Sequence, residues 1–175
     1  DDINTSRITR KAGEITNQVL TKGLCSALNR EMKELEAEEL EVEFATSGGG
    51  GSHPHYLRFK KAPKGADLKD VLSEGEHRCL GLAAFLAELS EEGHTSAIVL
   101  DDPVSSLDHQ RRYAVARRLT KEAKNRQVII FTHDLAFLYA LDRAATELQV
   151  PLIAHTVART SAGTGVPSTT GVYPE

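Results

Sequence analysis

The run AIVL at 97–100, closed by Asp101-Asp102-Pro103, constrains the fold more than any other stretch. Four consecutive apolar residues without polar alternation predict a central strand of a parallel sheet, covered on both faces. Two carboxylates at the C-terminal end of such a strand stand where open α/β sheets bind ligands. One acid of the pair can hold Mg²⁺, which takes hard oxygen ligands. The other can orient or deprotonate a water that attacks a phosphate. Pro103 turns the chain out of the strand. A strand ending in a plain polar turn has the same local pattern.

Upstream stands LSEGE at 72–76. Ser73 and Glu76 have the Ser-x-x-Glu spacing of a capping box. Glu74 and Glu76 both fall in the first helical turn, where carboxylates suit the helix dipole. Gly75 lets another backbone come close. The following HRCLGLAAFLAEL is apolar at helical spacing through Leu80, Leu82, Ala83, Ala84, Phe85, Leu86 and Leu89. LSEGE therefore opens a buried helix whose free N–H groups point outward as an anion site. An ordinary N-cap fits the same residues.

Downstream come SSLD at 105–108 and FTHD at 131–134. Asp108 caps a helix over 109–125, with Tyr113, Ala116 and Leu119 on its inner face. Arg111, Arg112, Arg117, Arg118, Lys121 and Lys124 give that helix a strongly basic exterior. A solvated face and a nucleic-acid or partner surface both fit it. QVIIFT (127–132) is the next buried strand and delivers His133. An amphipathic helix spans 134–148, and PLIAHTVART (151–160) reads as a last strand. The Gly/Pro/Thr-rich tail, 161–175, reads as a loop or disordered end.

Before LSEGE, residues 5–41 read as helices, with Ile8, Ala12, Ile15, Val19, Leu20, Leu24 and Leu28 at steps of three and four and Gly23 as a bend or break. LEVEFAT (40–46) and HYLRFKKA (55–62) alternate and pair as a hairpin. SGGGGS (47–52) between them reads as an engineered linker in place of a natural loop, with a natural Gly-rich loop as the alternative. His53 and His55 lack the Cys or carboxylate partners of a metal site. The connector 60–71 is locally basic through Lys60, Lys61, Lys64 and Lys69. It reads as a solvated surface, with a phosphate contact as the alternative.

Composition narrows the class. The 175 residues suffice for one domain with a sizeable core. Apolar content of 40% and charged content of 26% are those of a soluble globular protein. A net charge of −4 does not advertise nucleic-acid binding. Cys25 and Cys79 lie in apolar helical patterns and read as reduced core residues of a cytoplasmic protein. No apolar run has membrane-spanning length, and no signal peptide or internal repeat is present. The Asp-Asp-Ile start without Met suggests a fragment.

Together, LSEGE, a helix, IVLDDP, SSLD and FTHD resemble the signature, Walker B, D-loop and switch histidine of an ATP-binding-cassette (ABC) ATPase. The resemblance covers roughly residues 66–140. It lies in the coiled-coil chromosome-maintenance and repair branch, the SMC and RecN-like proteins. The wording VLSEGEHR and DDPVSSLDH…FTHD looks closest to RloC-like bacterial defence ATPases, which can carry an anticodon nuclease.

That resemblance implies an α/β fold: the C-terminal lobe of a P-loop NTPase head, a central mostly parallel sheet flanked by helices, with an N-terminal helical segment and a β-hairpin. It implies a coiled-coil root and first hairpin strand at 1–46, a Gly loop at 47–52, the lobe at 53–160 and a tail at 161–175. No G-x-x-x-x-G-K-[ST] occurs in the chain. In this branch that loop lies on a separate N-terminal lobe, so the chain alone is expected to bind ATP poorly and not to hydrolyse it. Asp101 would help hold Mg²⁺. Asp102, where the superfamily usually has Glu, would orient the water, and His133 would contact the γ-phosphate. Ser73, Glu74, Gly75 and Glu76, with Ser105, Ser106 and Asp108, would meet ATP held by a second head. The implied partners are the P-loop lobe, a second identical head, and DNA or RNA, with no membrane. The alternative is a structural or regulatory dimerisation module that gates a nuclease or partner and turns over little.

Overall fold

The computed structural model describes residues 22–40, 42–46, 55–59, 71–93, 95–161 and 163–168. The helical pattern before residue 22, the Gly run 47–52, His53 and the basic connector 60–70 lie outside the described residues.

The first described helix, α1, covers 22–34, with Gly23 in its first described turn. β1 (Val42–Thr46) pairs antiparallel with β2 (His55–Phe59), Val42 opposite Phe59 and Thr46 opposite His55. This is the hairpin that the alternation predicts. α2 (Glu74–Glu92) starts at the Ser73 capping box and stops at Gly93, whose φ of 67° is the left-handed cap that glycine takes without cost.

β3 (Ile98–Asp101) and β4 (Val128–Phe131) pair in parallel, Ile98 opposite Val128 and Asp101 opposite Phe131. Parallel neighbours need a crossover, here α3 (His109–Glu122). α4 (Leu135–Leu148) follows, capped by Asp134 and closed by Gln149 at φ 57°. β5 (Thr156–Thr160) and β6 (Gly163–Ser168) form an antiparallel hairpin with an irregularity between Ala158 and Thr160.

One apolar cluster joins the four helices. Leu28, Met32 and Leu35 meet Cys79, Ala83 and Leu86 of α2, Val115 and Leu119 of α3, and Phe137 and Leu141 of α4. Cys79 is buried and Cys25 partly so, both as free thiols. Burial pushes the Cys79 thiol up to about 11, with Asp108 adding to it, so it stays protonated.

Several expectations need correction. Coverage on both faces fails for the central strands: Val99 is 60% and Phe131 54% exposed, and Ile129 is exposed beside them. The α/β class itself stands, with one parallel pair of strands and two antiparallel pairs among the described residues. The last strand begins at Thr156, not Pro151. Part of the presumed tail, Gly163–Ser168, is its partner strand.

The basic exterior expected over 109–125 holds only in part, with Arg117 and Lys124 exposed. Arg118 is buried and bonded to Glu31 at 2.6 and 3.0 Å and to Glu122 at 2.8 Å. Arg126 donates to the same Glu122 at 2.6 Å. Arg111 pairs with Glu39, Lys121 with Glu34 and Arg117 with Glu147. The positive charges of α3 are therefore matched, largely by the acidic run REMKELEAEE at 30–39.

Candidate functional site at the C-terminal edge of the parallel strands

The site follows from register. β3 and β4 run in parallel with Asp101 opposite Phe131, so both chains leave the pair at the same edge. The Asp102 N–H donates to the Phe131 carbonyl at 2.8 Å. Asp102 then adopts φ 45°, a left-handed conformation that Asp tolerates better than most residues. Its carboxylate accepts from Thr132 Oγ1 at 3.3 Å and lies 3.3 Å from His133 Nδ1. Thr132 Oγ1 in turn accepts from the Asp134 N–H at 3.1 Å. His133 itself is 85% exposed. The structure thus gathers Asp102, Thr132 and His133. Sequence reasoning passed over Thr132, although its place inside FTHD between the acid's partner strand and the histidine was a signal.

The SSLD turn is pinned from below. Val104 and Leu107 are buried in the core, while Ser105 is half-buried and Ser106 exposed between them. Ser106 has φ 65°. Asp108 spends its carboxylate on the N-cap of α3, accepting from the Gln110 and Arg111 amides at 2.9 and 3.0 Å. The turn thus runs directly into the helix start.

LSEGE meets that turn directly. A Cβ at Gly75 would lie 2.4 Å from the Ser106 carbonyl oxygen, so only glycine allows this approach. The Ser73 amide and hydroxyl donate to Glu76 Oε2 at 2.8 and 2.7 Å, and the Glu76 amide donates back to Ser73 Oγ at 3.3 Å. These bonds hold the Glu76 carboxyl below its ordinary value, the Ser73 side chain contributing most. Glu74 pairs with Arg78 at 3.1 Å. The helix itself uses neither the Glu74 nor the Gly75 N–H, its first two orphan donors. Two amides beside a glycine fit an anionic oxygen.

Asp101 is exposed at the end of β3. Among the described residues, no group of three or more His, Cys, Asp and Glu could hold a metal ion by itself. The donor set is hard oxygen, one or two carboxylates. That fits Mg²⁺, which keeps several waters and shares phosphate oxygens.

A capped helix start, an acid turn and a histidine-bearing strand end thus lie on one edge of a lobe that has the fold of an SMC head. A family model described as an AAA domain matches residues 3–156, and the chain belongs to that family. A solved SMC ATPase, from work on ATP-driven dimerization and DNA-stimulated activation of SMC ATPases, superposes with a TM-score of 0.58 at 15% identity. That superposition covers 87% of this chain and 85% of the other. Among curated relatives, the hemin import ATP-binding protein HmuV of Vibrio parahaemolyticus is 37% identical over 70 residues, 39% of this chain and 27% of its own length. The DNA replication and repair protein RecF of Halothermothrix orenii is 31% identical over 103 residues, 50% of this chain and 28% of its own. The chain therefore spans little more than a quarter of either relative.

Proposed function

We propose that the chain is the C-terminal lobe of an ATP-hydrolysing head that dimerises on ATP, in a nucleic-acid-directed repair or defence protein. The observation that carries this reading is the shared edge, where Asp102 meets Thr132 and His133 while Gly75 abuts Ser106. Asp102, steadied by Thr132 and His133, orients the attacking water. His133, held at Nδ1, offers its other nitrogen to the γ-phosphate. Asp101 helps hold Mg²⁺, which neutralises developing phosphate charge when bound. The Glu74 and Gly75 amides receive the γ-phosphate of ATP held by a second head. Ser105 and Ser106, turned outward by the buried Val104 and Leu107, line the crossing between heads.

The uncovered apolar face at Val99, Ile129 and Phe131 fits a layer supplied by a P-loop-bearing N-terminal lobe. In this division 1–46 is a coiled-coil root with one hairpin strand and 53–160 the lobe, whose β5–β6 hairpin extends into the polar tail at Gly163–Ser168. The wording VLSEGEHR and DDPVSSLDH supports an RloC-like defence protein, and the RecF and SMC relatives support a nucleic-acid target. No helix among the described residues is long and apolar enough to cross a membrane.

ATP hydrolysis by this chain, alone and mixed with the P-loop-bearing lobe, tests the reading. Turnover is expected in the mixture only. Turnover by the chain alone would overturn the split head. Asp102→Asn is expected to lower kcat by about 10²-fold or more while ATP-driven dimerisation persists, as for loss of a general base. A second reading, a dimerisation module that gates a nuclease, is favoured by the Asp102 carboxylate already being engaged by Thr132 and His133. Under it, wild-type turnover is already negligible and Asp102→Asn changes nothing.

A further inference from the structure

Arg112 stands between the two halves of the site and has no role in the reading above. It is the fourth residue of α3 and only about a quarter exposed. Its Nη2 donates to the Leu107 carbonyl at 3.1 Å, on the last apolar residue of the SSLD turn. On the other side, its Nε lies 3.1 Å from Asp134 Oδ2. That Nε is buried, yet its N–H is not aimed well enough at any acceptor to count as bonded. A buried guanidinium donor without an acceptor is costly unless a small rotation completes the bond. Asp134 follows His133 directly, caps α4 through the Phe137 amide at 3.0 Å, and sends its own amide to Thr132, which bonds Asp102.

We propose that Arg112 is a positioning residue: through Leu107 on one side and Asp134 on the other, it locks the SSLD turn to the strand end carrying Thr132 and His133. The inference rests on the hydrolytic reading for its effect on rate, though not for the coupling itself. A planar fork can hold a carbonyl and a carboxylate at once, which a lysine ammonium does less well. The turn and the histidine then keep a fixed separation, whichever of them a nucleotide reaches first. Positioning of this kind matters because an error of about 1 Å in an active site can cost roughly a hundredfold in rate.

The test uses the complete protein with Arg112→Gln, Asp134→Asn and the double variant. Asparagine is as good an N-cap as aspartate, so Asp134→Asn removes the charge and keeps the helix start. Amide hydrogen exchange is read at Leu107, Asp134 and Phe137, and kcat and KM for ATP beside it. Arg112→Gln is expected to speed exchange at Leu107 and Asp134 together by about tenfold, the order of one charge-assisted hydrogen bond. kcat is expected to fall by a similar factor with KM unchanged. Asp134→Asn should reproduce the loss of kcat with Phe137 still protected, and the double variant should fall no further than the worse single. Faster exchange at one segment only, or across the whole chain, would overturn the coupling, as would unchanged kcat in either single variant of an active protein. If the wild-type protein hydrolyses no ATP, the hydrolytic reading fails and the exchange pattern alone decides on Arg112.

Discussion

α2 and α3 both start at the candidate site, yet they are held by different physics. α2 is fixed by shape: Cys79, Leu80, Leu82, Ala83, Leu86 and Ala87 are buried, and its start fits against Ser106 only because Gly75 has no side chain. α3 buries Ala114, Val115, Ala116 and Leu119, but it also buries Arg118 and Glu122, and α1 answers with a buried Glu31. Apolar burial is non-directional, so it holds a helix without choosing its register. Buried charges accept few arrangements, and breaking one pair leaves an uncompensated charge. The helix that begins at SSLD is thus the one whose register against α1 is specified by charge.

The sharpest way to break this contrast is Arg118→Met. It strands Glu31 in the core and is expected to cost about 3–5 kcal/mol in urea unfolding. Arg118→Met with Glu31→Leu should recover most of that, because Glu122 keeps Arg126. A double variant no better than the single would mean that the pair is not the clamp.

Two glycines of α2 give the next effect, with opposite signs. Gly75→Ala drives a Cβ into the Ser106 carbonyl and should cost about 1–3 kcal/mol. Gly81→Ala meets nothing within 4 Å and should stabilise by about 0.5–1 kcal/mol. The same denaturation curves check both. If Gly75→Ala is neutral, the close approach of helix and turn is not obligatory.

Acid probes both helices together. Arg118 and Arg126 overcome the burial that pushes the Glu122 carboxyl up and hold it below its ordinary 4.5, while the Ser73 bonds hold Glu76 low. A depressed folded value means that the stability is full above the ordinary value and lost as pH falls through the folded one. Thermal midpoints are expected to drop on acidification below pH 4.5. Glu122→Gln should flatten the part due to the clamp.

The smallest effect belongs to the rim. Lys121→Met removes an exposed pair with Glu34 and should change stability by less than about 1 kcal/mol, and less again in high salt. A larger loss would mean that charge pairing along α3 acts as one network.

Local features were legible in the sequence and distant ones were not. Ser73 and Asp108 declare their caps within three residues. The hairpin was visible as alternation, and the strand-to-acid endings as apolar runs. The exterior of α3 was misread because its partners lie far upstream: Arg118 and Glu31 are 87 positions apart. The acidic run at 30–39 was the available signal, and matching it to the basic helix would have found the clamp. β6 escaped because only Thr164 and Val166 of GTGVPS favour a strand, the rest being Gly, Pro and Ser, and it forms by pairing with β5; its proline sits opposite Val157 on a two-stranded ribbon, where a missing donor is tolerated. Asp101, Asp102 and His133 could be named from motif order, and Thr132 lay inside FTHD, whereas the link through Arg112 emerges only from the folded arrangement.

The left-handed backbone at Asp102 also limits how this sequence can drift. A non-glycine residue there carries strain on the order of 1–3 kcal/mol, and the ring of Pro103 narrows the choice further. Asp, Asn and Gly suit such a conformation best, because a short polar side chain can bond locally. Lengthening the acid to glutamate is then more than one added methylene. Unless the turn is rebuilt with it, the longer acid meets a worse backbone and a longer reach at once. Side-chain length at this position is coupled to the shape of the peptide chain beneath it, so the two are expected to change together among descendants of this sequence.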